Sequence, residues 1–594
     1  MANQKTDVIR IANCSGYYGD KLSAAREMVE GGPIDILTGD YLAELTMSIL
    51  YAKQRKNPEE GYVGTFLKQV EDVLETCLAK GIKIVSNAGG LNPQGMADEI
   101  AAIAERLGLK CNIAYIDGDN LVPRLNELMK AGETFTNIDT GKALNQTNYK
   151  PATANAYLGG WGIKKALDEG ADIVIAPRVT DAAVVLGPAA WKFNWQRDDF
   201  DSLAGAVAAG HLIECGAQVC GGNYAFFEEV PSFRNVGYPI AEIESDGSFT
   251  ITKHPGTGGL VSVGTVTAQL LYEINSPAYV NPDVISHFDS LKIEQVGEDR
   301  VRISECRGSP PPKTHKVCLN IMGGFKNSME ILLTGLQIER KAEIFTDSLF
   351  HLLGGREQFD DISVDLIRSD KDDAQRNEEA FATLRISVKS GDPKLAGRLF
   401  SAKIIELALA NFPGFTGRSA PTSGGPFIIH WPALINSQHI TEKVHINGTC
   451  YDIQPSSVQE LKQVPAFTNN MKLPPSQDSE LVEIFFGELF GTRSGDKGGS
   501  ANIGVWAKDM SSYSWLYHTL TIEKLIELLP DTAPFRIERF ELPNIKSLNF
   551  MIHGILGEGV AANDRIDGQA KTMGEYLRSR KILVPKSLKQ NGGH

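Results

Sequence analysis

Val8-Ile9-Arg10-Ile11-Ala12-Asn13-Cys14-Ser15-Gly16-Tyr17-Tyr18-Gly19-Asp20 joins an apolar run to a polar loop with two glycines, and a helical pattern through Leu22, Ala25, Met28 and Val29 follows. The same cycle recurs along the first half. Residues 34–37 are apolar and end in Thr38-Gly39-Asp40, ahead of a helix through Leu42, Leu45 and Ile49. A helical pattern over 66–78 leads into the apolar run 82–85, then Asn87 to Pro93, then a helix carrying Ile100, Ile103 and Leu107. Residues 111–116 end in Asp117-Gly118-Asp119-Asn120. A helix is expected over 154–167, and 173–176 end in Pro177-Arg178-Val179-Thr180-Asp181. Strands of nearly continuous Ile, Val and Ala are buried on both faces, which demands helices on each side of a mainly parallel sheet. The expected fold class is α/β, a Rossmann-like doubly wound parallel sheet.

Open parallel sheets bind ligands beyond the carboxyl ends of their strands. Those ends carry Ser15, Gly16, Tyr17, Asp20, Asp40, Asn87, Gly89, Gly90, Asp119, Asn120, Arg178 and Asp181. Glycines there would let a ligand approach the backbone. Asp20, Asp40, Asp119 and Asp181 are candidate general acids and bases, since a carboxylate among apolar walls has its pKa raised toward neutrality. Arg178 would hold a substrate carboxylate by a two-point contact. Tyr17 or Tyr18 would donate to a developing oxyanion, and Cys14 is a conceivable nucleophile with no histidine near it in sequence. Asn223, after Cys220-Gly221-Gly222, sits in a further candidate rim loop.

The core over about 6–230 is followed by an α+β lobe over about 231–465, the two forming one large domain over 6–465. Residues 260–267 read as β-rich, and His430 beside Trp431 reads as a packed histidine. A polar, Pro-rich linker covers 466–480. The last domain, 481–585, reads strand, loop, strand, helix (522–529), strand (537–542), then helix-like material at 548–552. That order suits a small ferredoxin-like α+β fold. Its loop, Phe490-Gly491-Thr492-Arg493-Ser494-Gly495-Asp496-Lys497-Gly498-Gly499-Ser500-Ala501-Asn502-Ile503-Gly504, sets charged groups among glycines. Bare amides in such a turn can form an anion-binding concavity, which marks Arg493, Asp496 and Lys497 as candidate substrate contacts.

That loop resembles the signature of the small C-terminal domain of the acyclic terpene utilisation (AtuA) family. The run Ile9 to Asp20, with Thr38-Gly39-Asp40-Tyr41-Leu42, Ser86 to Pro93 and Arg178-Val179-Thr180-Asp181-Ala182, resembles that family's large domain. The resemblance spans nearly the whole chain. It implies catabolism of branched or isoprenoid acids handled as CoA thioesters, with coenzyme A as a substrate moiety.

Bulk properties narrow the classes further. A formal charge of −14 over 594 residues argues against nucleic acid and anionic membrane surfaces as partners. No secretory signal or apolar run of membrane-spanning length stands out, so a cytoplasmic protein is expected. Eight scattered cysteines match no zinc pattern and read as reduced thiols. Against the dinucleotide fingerprint, Gly16-x-x-Gly19 supplies only the last two glycines, with Cys14 in the first position and Asp40 near the ribose-binding place. A divalent metal stays open, since Asp40, Asp117, Asp119 and Asp181 could converge as oxygen ligands. One of Asp117 and Asp119 is expected instead to cap a helix starting near Asn120. The reading reached is a lyase or hydratase acting on an acyl-CoA thioester without a redox cofactor, in a small homo-oligomer. Alternatives are a metal-dependent hydrolase and a non-catalytic partner of an acyl-CoA carboxylase.

Overall fold

The structure is a computed structural model that describes residues 8–455, 465, 467, 473 and 480–591. The expected linker 466–480 therefore lies outside the described residues except at Phe467, Leu473 and Glu480. The chain divides into two compact units, one made of 1–320, 430–560 and 569–594, the other of 321–429 and 561–568.

The first unit is organised by a mixed sheet. Strands β1 (Val8–Asn13), β2 (Ile36–Gly39), β3 (Lys83–Gly90) and β4 (Ile113–Asp117) come first, then β5 (Pro151–Ala156) in another sheet, then β6 (Ile173–Pro177). The parallel centre runs β1-β2-β3-β6-β4. Antiparallel β7 (Pro239–Glu244) and β8 (Phe249–Lys253) extend it beyond β1. Dinucleotide folds reverse their strand order beside the first strand, whereas β1 here lies between β2 and antiparallel β7.

Helices α1 (Ala24–Glu30), α2 (Glu44–Gln54), α3 (Gly64–Lys80) and α4 (Pro93–Arg106) precede the short α5 (Leu125–Lys130). Helices α6 (Trp161–Asp168), α7 (Ala183–Phe193) and α8 (Phe200–Ile213) follow. Ala12, Leu37, Ile84 and Ile175 join the core under α1, α3 and α4. Ile11, Ile36, Val85 and Val174 are as deeply buried but lie outside that core, as strand alternation places them on the opposite face. The sheet is thus covered on both sides, as its apolar strands require. Among the described residues no helix is long and apolar enough to cross a membrane.

Three local expectations are corrected. The helix expected over 154–167 is split: Pro151–Ala156 is a strand, and α6 starts only at Trp161, after Gly159-Gly160. The β-rich run 260–267 contains the helix Val263–Leu270, because Ser262 Oγ accepts from Thr265 N and Thr265 Oγ1 accepts from Ser262 N. That capping box outweighs the β-branched residues after it. Residues 548–552 are strand, within Ser547–His553.

The C-terminal part of the first unit is a four-stranded antiparallel sheet. Its order is Phe490–Lys497, Ser500–Ala507, Ser547–His553, Arg536–Leu542, with helices Met510–Thr519, Ile522–Leu528 and Met573–Arg578. This is a split β-α-β arrangement in which the strand beside Ser500–Ala507 comes first in sequence, not last. The second unit has its own core of Ile331, Phe345, Leu384, Ile386 and Phe400. There Phe325–Leu333 of a long strand pairs with Ala382–Ser390, which pairs in turn with Asp361–Ile367.

Candidate active site

Seven chain segments bring polar side chains together in the first unit, at the candidate crevice. The turn after β2 buries Asp40, whose carboxylate accepts from the Asn87 amide while Asn87 Oδ1 accepts from Tyr41 N at 2.9 Å. From the end of β6, Arg178 donates to the Leu42 carbonyl and pairs with Asp181 at 3.1 Å. Its guanidinium carbon lies 4.1 Å from the centre of the Tyr157 ring. Tyr157 donates its hydroxyl to Glu44 Oε1 at 2.8 Å, with Lys316 Nζ 3.5 Å and His430 Nε2 4.0 Å from that same oxygen. The end of α8 adds His211, with Nδ1 3.1 Å from Glu214 Oε1.

The C-terminal sheet supplies the facing wall. Arg493 donates to Gln218 Oε1, and its guanidinium carbon is 4.2 Å from the Tyr272 ring centre. Lys571 Nζ is 2.8 Å from Glu273 and 3.3 Å from Asp496. Lys497 Nζ stands 5.9 Å from the Tyr279 ring centre. Three asparagines lock this sheet in place. Asn502 Nδ2 donates to the Leu271 carbonyl at 2.6 Å and its Oδ1 accepts from Glu273 N at 2.9 Å. Asn549 donates to the Ile274 carbonyl at 3.1 Å, and Asn544 to those of Phe288 and Leu291 at 2.8 and 2.9 Å.

The crevice holds several groups away from their ordinary ionisation. Burial, then the neighbouring Asp181 charge, raise both Asp40 and Glu214 well above the usual carboxylate range. Burial also acts on Glu44, but Lys316, His430 and Arg178 outweigh it and lower that carboxyl well below its usual value. Burial pushes His430 down to about 4, and burial with Lys497 takes His211 to about 4. Arg178 Nε, Glu214 Oε2, His211 Nε2 and His430 Nε2 are buried without hydrogen-bond partners. Each such group costs about 1–3 kcal/mol, so this concentration marks a place where a ligand or water completes the bonding.

The structure gathers Asp40, Asn87, Arg178, Asp181, Arg493, Asp496 and Lys497 from the sequence candidates. Asn223 is exposed, its amide 3.4 Å from the Gln218 oxygen that Arg493 also uses. Other candidates hold the fold together. Asp20 accepts from Gly16 N, Lys21 N and the Tyr238 hydroxyl, which ties up both of its oxygens. Ser15 is buried with its hydroxyl on the Tyr17 carbonyl, and the Tyr17 side chain is 60 % exposed. Tyr18 accepts from Lys53. A Cβ on Gly16 would stand 2.6 Å from the Cys215 backbone, on Gly89 2.7 Å from the Ala176 carbonyl, and on Gly90 2.8 Å from the Gly61 carbonyl. These glycines admit the protein's own chain, not a ligand.

Neither Asp117 nor Asp119 caps a helix. Asp117 pairs with His445 at 2.9 Å, while Asp119 accepts from Asn155 at 2.7 Å and is pushed up to about 7 by burial. Exposed Asn120 accepts from Val122 N instead. Among the described residues no group of three or more His, Cys, Asp or Glu side chains is arranged to hold a metal ion. Burial raises the Cys14 thiol to about 12, which removes it as a nucleophile at neutral pH. Sequence reading missed Glu44, Tyr157, His211, Glu214, Glu273, Tyr279, Lys316 and Lys571, and it read His430 only as packed. The signal within reach was Glu214, three residues beyond His211 at the end of an apolar helix.

The model of a family described as acyclic terpene utilisation family protein AtuA matches residues 9–446, and that of the AtuA ferredoxin-like domain matches 486–583. No curated protein and no solved structure matches the chain.

Proposed function

Since this chain belongs to the acyclic terpene utilisation family AtuA, we propose that its crevice performs acid–base chemistry on a branched or isoprenoid acyl-CoA thioester or related acid. The reaction adds or removes water, or cleaves a carbon–carbon bond, at the carboxyl ends of a Rossmann-like layer. One observation carries this reading: two buried carboxyls held toward their protonated forms, Asp40 and Glu214, flank the Arg178–Asp181 ion pair. Pairs of acids with different environments divide into proton donor and acceptor.

In water addition to a β-branched enoyl thioester, Asp181 takes a proton from water as the water oxygen bonds to C3. Negative charge moves to the thioester oxygen, within the field of Arg178 and Lys497. Glu214 then delivers its proton to C2. The sum is one water added across the double bond with no change of oxidation state, so the step asks for no redox cofactor. The test is incubation of the full chain with 3-methylbut-2-enoyl-CoA in deuterated water, followed by mass spectrometry. Deuterium at C2 is expected, reduced by about 10²–10⁴ in Glu214→Gln and in Asp181→Asn. Absence of exchange across a panel of branched thioesters and acids, or full activity in Arg178→Ala, would overturn the proposal.

A further inference from the structure

We infer that the ligand of this crevice carries a carboxylate and that Lys497, delivered by the C-terminal sheet, is the residue that holds it. The inference rests on reading the crevice as the substrate site, and it names the substrate class. Lys497 ends the strand Phe490–Lys497, at a turn that Gly498 makes with a φ of 62°. The turn is pinned where Gly499 N donates to Asp139 Oδ2 at 3.0 Å. The other charged residues of this strand are already engaged, Arg493 by Gln218 and Asp496 by Lys571. Lys497 makes no hydrogen bond or ion pair among the described residues; the Tyr279 ring centre lies 5.9 Å from its ammonium, and Glu214, Glu273 and His211 are within its electrostatic reach.

A half-buried ammonium without a counter-ion is costly. Of its two acidic neighbours, Glu273 is already paired with Lys571 at 2.8 Å. No ion pair joins Lys497 to Glu214, whose Oε1 is turned to His211 and whose burial favours the protonated carboxyl. Glu214 Oε2, also without a partner, is then a second hydrogen-bonding atom beside Lys497. An ammonium and a protonated carboxyl suit the two oxygens of one carboxylate. A phosphate dianion, with its second negative charge, would meet the charges of Asp181 and Glu273, and is disfavoured by like charge. Substrates of this class are free branched acids, or thioesters whose acyl chain bears a second carboxyl group.

Calorimetric titration of the full chain with 3-methylbut-2-enoate and with the neutral 3-methylbut-2-enamide tests this, with inorganic phosphate as competitor. The acid is expected to bind at least about tenfold more tightly than the amide, a difference of about 1.4 kcal/mol. Lys497→Met should erase that preference, Lys497→Arg should restore part of it, and phosphate should not compete. Equal binding of acid and amide, unchanged acid affinity in Lys497→Met, or displacement by phosphate would each overturn the inference. Absence of binding by both ligands would overturn it together with the site. Acid-selective binding through Lys497 without turnover of any thioester leaves it standing and removes the hydration reaction alone.

Discussion

His211 Nδ1 lies 3.1 Å from Glu214 Oε1 in surroundings that expose neither side chain. Burial acts oppositely on the two, raising the carboxyl and lowering the imidazole to about 4, so the favoured state is a neutral pair. If Glu214 is the donor, the exchange rate should fall as pH rises through its raised pKa. Glu214→Gln, with no proton to give, should remove both the rate and the limb. A pH–rate profile of deuterium incorporation checks this, and an unchanged profile in the variant would remove Glu214 from the proton path.

Asp119 offers a stability test at a residue outside the proposed proton path. Burial pushes its carboxyl up to about 7 in the fold, well above the ordinary carboxylate range. The folded state therefore binds the proton more tightly than the unfolded chain. The resulting stability is complete below about pH 4 and is lost as pH rises to about 7. Each pKa unit is worth about 1.4 kcal/mol. Asp119→Asn keeps an oxygen for the Asn155 amide and should escape the loss. Thermal midpoints measured from pH 4 to 8 should diverge in favour of the variant by an amount corresponding to a few kcal/mol.

Asn502→Ala should loosen the C-terminal sheet from residues 271–274. It removes bonds to the Leu271 carbonyl, Glu273 N and Asn549, and strands buried partners at about 1–3 kcal/mol each. Hydrogen exchange should speed up at the Glu273 amide, and acid affinity should fall although no proposed substrate contact has changed. Unaltered protection at that amide would show the docking to be held elsewhere.

Gly16→Ala separates a packing role from a ligand role. The added methyl would press on the Cys215 and Gly216 backbone at 2.6–2.9 Å, and the expected result is a destabilisation of about 1–3 kcal/mol. A thermal midpoint equal to the parent's, combined with lost ligand binding, would return Gly16 to the ligand.

The parallel strands were legible because their burial on both faces writes itself into Ile, Val and Ala runs. Asp40, Arg178 and Asp181 were legible because they sit at strand ends. Glu214 and Tyr157 were not, since their importance comes from partners far away in sequence: Glu214 faces Asp181, and Tyr157 bridges Glu44 and Arg178 from a stretch that reads as helix. Glycine was the commonest source of error. Its presence signals close approach, but composition does not say what approaches, and at Gly16, Gly89 and Gly90 it is backbone. For 260–267 the deciding feature was the short-range Ser262–Thr265 reciprocity, which β-propensity masked.

The three asparagine amides that fasten the C-terminal sheet all donate to main-chain carbonyls, at Leu271, Ile274, Phe288 and Leu291. Main-chain carbonyls are common to every amino acid, so these bonds do not depend on which side chains the 271–291 segment carries. Tyr272, Glu273 and Tyr279 lie within that same segment and face the crevice. Replacing the side chains at those three positions would therefore leave the acceptors of these asparagine bonds in place.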